Sequence, residues 1–92
     1  MIDINDKHLR MVKEILKKYS YTFYAYGSRS KNKARKSSDL DLCYKEEIPE
    51  KILFRIKDEF EESDLPFKVD IVKWENMSPG FQKLIEKDLK QI

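Results

Sequence analysis

The sequence predicts an α/β (α+β) fold: a small mixed β-sheet with helices on one face. Three observations carry this expectation. Apolar residues recur at helical spacing in three separate stretches, short aromatic and β-branched runs lie between them, and 92 residues suffice for one hydrophobic core. A catalytic domain with a separate recognition domain would need more chain, so one domain over residues 1–92 is expected.

The first stretch begins near Asp6. Leu9, Val12, Leu16 and Tyr19, with Met11 and Ile15 beside them, form one face of an amphipathic helix that Asn5 or Asp6 can cap. Tyr21 to Tyr26 is aromatic and β-branched and stops at Gly27, which reads as a first strand. Residues Ser28 to Ser38 are polar and basic and contain Asn32, the composition of a turn, with room for a short helix over Lys33 to Lys36.

Strict alternation from Asp39 to Tyr44 marks a half-buried second strand. Leu40, Leu42 and Tyr44 share one face, and Asp39, Asp41 and Cys43 the other. Pro49 and Glu50 open a helix whose inward stripe is Ile52, Leu53, Ile56 and Phe60, and Pro66 ends that region. Phe67 to Trp74 forms a third strand, with Phe67, Val69 and Ile71 on one face and Lys68, Asp70 and Val72 on the other. Ser78-Pro79 then starts a helix carrying Phe81, Leu84, Ile85 and Leu89 to the end.

Hydrophobic residues make up 40% and charged residues 39%, a folded chain with a heavily solvated surface. With a net charge of only +2 the whole-chain field says little about partners, and nucleic acid is not expected among them. Charge is nevertheless segregated: Arg29, Lys31, Lys33, Arg35 and Lys36 lie together, and Asp58, Glu59, Glu61, Glu62 and Asp64 form a later acidic group. Cys43 stands alone, which excludes an internal disulfide and a multi-cysteine zinc site and suits a reducing compartment. Neither a signal peptide's apolar stretch nor a run of membrane-spanning length occurs, so a cytoplasmic location is expected and no membrane partner.

Chemistry concentrates at three acids. Asp39 and Asp41 are one residue apart on a strand, so both side chains leave the same face with Cα atoms roughly 7 Å apart. Asp70, on another strand, can supply a third carboxylate. Three gathered acids repel one another unless they are spread into solvent or neutralised by cations, and oxygen-only ligands suit Mg²⁺. Gly27-Ser28 follows the first strand directly. A glycine there permits positive φ and lets backbone N–H groups and the Ser28 hydroxyl face an anion.

The stretch from Gly27 to Leu42, with Gly27-Ser28, ten further residues and then Asp39-Leu40-Asp41, resembles the signature of the minimal nucleotidyltransferases (MNT) of the DNA polymerase beta-like superfamily. Arg29, the Ala34-Arg35 pair, Ser38 and the strand Val69 to Val72 are similar too. Asn32 stands where the family usually has glycine, and Lys36-Ser37 replaces a stretch that commonly contains proline or glycine.

The resemblance implies transfer of a nucleoside monophosphate, AMP from ATP, to an acceptor hydroxyl with release of pyrophosphate. It makes Asp39, Asp41 and Asp70 catalytic ligands of two Mg²⁺ ions, and Gly27, Ser28, Arg29 and Arg35 nucleotide-binding, with Lys31 as a further candidate. It also implies a partner: similar proteins are antitoxins of HEPN/MNT pairs, attaching AMP to a tyrosine of a helical HEPN-type toxin. Two alternatives stand beside it, transfer to a small hydroxylated molecule and a non-catalytic binding module that keeps the fold. His8 and Trp74 read first as structural residues, as do Tyr19, Tyr21, Tyr24, Tyr26 and Tyr44.

Overall fold

The computed structural model of the protein describes residues 4–27 and 39–92. The basic stretch with its expected short helix lies outside the described residues. Helix α1 spans Asp6–Leu16, and Asn5 caps it by accepting from the backbone N–H groups of Lys7 and His8. Strand β1 is Tyr24–Tyr26 and β2 is Leu40–Tyr44. Helix α2 runs Glu50–Glu61, β3 is Val69–Lys73, and α3 is Pro79–Ile85. A 3₁₀ turn, Glu86–Asp88, leads into a fourth strand, β4, at Lys90–Gln91.

The sheet is mixed, as expected, in the order β3-β2-β1-β4. β1 is antiparallel to β2 and β4, and β2 is parallel to β3. The parallel pair has α2 as its crossover, since parallel neighbours need a long connection. The main core lies on one face, where Val12 and Leu16 of α1 and Ile56 and Phe60 of α2 meet Ala25, Leu40, Leu42, Tyr44 and Ile71. Each fully buried aliphatic side chain contributes about 1.5–3 kcal/mol there.

The expectation that the helices share one face holds for α1 and α2. Helix α3 lies on the other face, where its Ile85 packs with Tyr26 and Cys43, and Tyr24, Trp74, Met77 and Leu89 close round them. The physical reason is that β1, β2 and the end of β3 are apolar on both faces, so both need cover.

Boundaries also differ: β3 is Val69–Lys73 and not Phe67 to Trp74, because Trp74 opens a 3₁₀ turn over Trp74–Asn76. β1 is shorter than the run Tyr21–Tyr26, although the Phe23 carbonyl still accepts from Ile92 N–H. The last helix stops at Ile85, and two polar residues pair with β1 through their backbone as β4. Among the described residues no helix is long and apolar enough to cross a membrane.

Candidate active site

Strand register puts the acids side by side. In the parallel β2–β3 pair Asp41 is the direct partner of Asp70, and in the antiparallel β1–β2 pair Tyr26 is the direct partner of Asp41. Paired residues share a face, so Tyr26, Asp41 and Asp70 form a row across three strands, one strand spacing of about 4.8 Å between neighbours. The row lies on the face opposite α1 and α2, because Leu40 and Leu42 on either side of Asp41 are buried in the main core. Asp39 precedes β2 and is exposed.

Glycine at position 27 is required by this arrangement. Its φ is +81°, and a Cβ placed on it would stand 2.6 Å from Asp41 Oδ2. The turn after β1 therefore packs directly against the Asp41 carboxylate. Any other side chain would both strain the backbone and displace that carboxylate.

Electrostatics report the crowding. Burial pushes the Asp41 carboxyl above its ordinary value, and the negative charges of Asp70 and Asp39 push it further. Burial likewise raises the Tyr26 phenol to about 12, with Asp41, Cys43 and Asp70 adding to the effect. Lys68 reaches Asp70 at 3.8 Å, a loose and exposed pair. Among the described residues no three His, Cys, Asp or Glu side chains already close into a metal-ligating group.

The donor set fits a hard divalent cation. It consists of carboxylate oxygens, one of them half-buried and destabilised as an anion by its neighbours, and no described cation is paired with Asp41. A cleft of about 590 Å³ opens at the row, with Tyr26, Asp41 and Asp70 in its wall.

Of the residues singled out from sequence, Gly27, Asp41 and Asp70 come together, and Asp39, exposed just before β2, lies near enough for its charge to act on Asp41. Ser28, Arg29, Lys31 and Arg35 lie outside the described residues. Cys43 shares the face of Asp41 but is buried, and burial lifts its thiol to about 11, which leaves it chemically quiet. His8 stacks edge-on against Phe67, on the side of the sheet away from the acids. Trp74 sits under the Lys45 ammonium, 4.8 Å from its ring centre, and its carbonyl accepts from the Gln82 amide. Tyr26 is strand and core material, as its sequence context suggested, buried in β1 beside Cys43 and Ile85, and its register opposite Asp41 also brings it into the row. Only its register opposite Asp41 could have marked it.

Residues 3–92 match the family described as polymerase beta, nucleotidyltransferase. Over 90 residues the chain is 44% identical to a protein of Haemophilus influenzae named probable protein adenylyltransferase MntA, an alignment covering 94% of this chain and 79% of the relative.

Proposed function

The chain belongs to the polymerase beta nucleotidyltransferase family, as a member of its minimal (MNT) branch, and on that premise we propose that it moves AMP from ATP to a tyrosine hydroxyl of a HEPN-type helical partner, acting as its antitoxin. Nucleotidyl transfer follows from the family. The relative's name, protein adenylyltransferase, supports AMP as the group moved and a protein as its acceptor. A cytoplasmic setting, where ATP and a co-produced partner meet, belongs to the same reading.

The observation that carries the site is Asp41 standing beside Asp70 across the β2–β3 pair with the Gly27 backbone against it. Asp39, Asp41 and Asp70 would hold two Mg²⁺ ions. Bound there, such ions stabilise the attacking and leaving oxygens of an in-line displacement. Asp70 lies at the outer end of the row and is the carboxylate assigned to the acceptor hydroxyl and its proton. At the inner end, Gly27 gives the backbone close approach to phosphate, and Ser28, Arg29 and Arg35 are assigned to the triphosphate. Tyr26, neutral at physiological pH, adds a wall that excludes water without adding charge.

The test uses labelled ATP with Mg²⁺, with and without the protein encoded beside this chain. Label is expected on a tyrosine of that protein, and Asp41→Asn is expected to lower it by on the order of 10²-fold or more, the scale for losing one electrostatic stabiliser. Label on a small molecule would redirect the acceptor assignment. A metal-independent complex without transfer would leave a binding module.

A further inference from the structure

β3 is the outermost strand of the sheet, and among the described residues only β2 pairs with it. The Leu40 N–H donates to the Lys68 carbonyl at 2.8 Å, which turns the backbone groups of Lys68 and Asp70 toward β2. Backbone groups reverse direction with each residue along a strand, so those of Val69 and Ile71 point to the open edge. Edge groups of this kind are a template for another strand.

The cleft beside the carboxylate row follows this edge. Its wall includes the unbroken run from Phe67 to Val72. Successive side chains of a strand point to opposite faces, so a continuous run lines one cleft only where that cleft wraps round the strand's edge. On the α2 side the wall combines apolar Phe60, Leu65 and Phe67 with polar Lys57, Glu61 and Ser63. On the other side it holds Tyr26, Asp41 and Asp70.

We propose that the edge of β3 receives an extended segment of the acceptor protein as an added antiparallel strand, and that this pairing delivers the acceptor tyrosine to Asp70 and Asp41. The proposal rests on the protein-acceptor reading above and deepens it by naming the docking surface. A residue opposite Asp70 occupies a non-hydrogen-bonded pair, where Cα atoms approach to about 4.5 Å and side chains share a face. Its two neighbours bond to Val69 and Ile71, and their side chains turn to the α2 side, directly across from those of Val69 and Ile71 and toward Phe60 and Phe67.

The segment that fits is therefore a tyrosine between two apolar residues. Asp41 lies a further strand spacing beyond Asp70, about 4.8 Å. A phenol spans that reach and a serine hydroxyl falls short. In the transfer the phenolic oxygen bonds to the α-phosphorus of ATP, and the bond from that phosphorus to the bridging oxygen breaks, leaving its electron pair on pyrophosphate. The phenolic proton passes to a carboxylate or to water.

Three synthetic peptides test this with labelled ATP, Mg²⁺ and the unaltered full chain. One carries a central tyrosine between two leucines, the second is N-methylated on both leucines, and the third is N-methylated two residues from the tyrosine on each side. Label is expected on the first and third within about twofold of each other. The second, which loses two hydrogen bonds to the edge, is expected to fall about tenfold or more in kcat/KM. Equal labelling of all three, or no label on any while pyrophosphate is still released from ATP, would overturn the docking surface. Absence of pyrophosphate release in every arm, with the protein encoded beside this chain also present, would instead overturn the nucleotidyl-transfer reading itself.

Discussion

A methyl group at position 27 has no room. With φ at +81° and Asp41 Oδ2 2.6 Å from the position of a Cβ, Gly27→Ala costs about 1–2 kcal/mol in backbone strain and displaces the carboxylate. Transfer activity is expected to fall by more than the stability loss explains, which activity assays beside urea melts will show. Glu59 is the second residue with a sharp consequence. It accepts hydrogen bonds from Lys18 Nζ and from the Tyr19 hydroxyl. The Lys18 bond first, then the Tyr19 bond, hold its carboxyl below the ordinary range, and the same contact holds the Tyr19 phenol above its own. A lowered carboxyl stabilises the fold above the ordinary carboxylate range and loses that contribution as pH falls through its folded-state value. A raised phenol contributes below about pH 10 and loses it on further rise. The stability difference between the protein and Glu59→Gln is thus expected to plateau between these limits and shrink at both ends, by about 1 kcal/mol or less because Lys18 is exposed. Melts across pH check it.

Helix α3 is short, and its N-terminus depends on Ser78, whose hydroxyl accepts from the Phe81 N–H at 3.3 Å. Ser78→Ala is expected to cost about 1 kcal/mol in a urea melt. Its effect should reach the site, because Phe81 meets the Tyr26 ring edge-on at 6.0 Å and Ile85 packs beside it. A rise in KM for ATP or acceptor with kcat little changed would mark that coupling. At this scale the sequence was informative where side chains alternate. The Asp39 to Tyr44 pattern gave the strand, its core face and its acid face, because burial of one face imposes a period of two. It was silent on β4, where Lys90 and Gln91 join the sheet through backbone groups that every residue carries. The third helix also ended early, since Leu89 sits at helical spacing yet belongs to the cluster beyond the helix.

For the whole molecule, the two-sided sheet sets both stability and function. Leu42 is fully buried at the centre of β2, directly between Asp41 and Cys43. Leu42→Ala is expected to cost about 2–5 kcal/mol, a large share of the stability of a chain this small, and calorimetry should show Tm falling by about 4–8 °C per kcal/mol. The sequence by itself determined the fold class, the three acids, the glycine and the family, since these depend on residue type and spacing along the chain. Only the tertiary structure decided that Asp70 lies directly beside Asp41, that Tyr26 completes their row, that α3 crosses to the acid face, and that among the described residues β3 pairs with β2 alone. These are facts of register and strand order. They arise from contacts between residues far apart in the chain, and a local pattern of apolar and polar residues is the same whichever strand lies next to it.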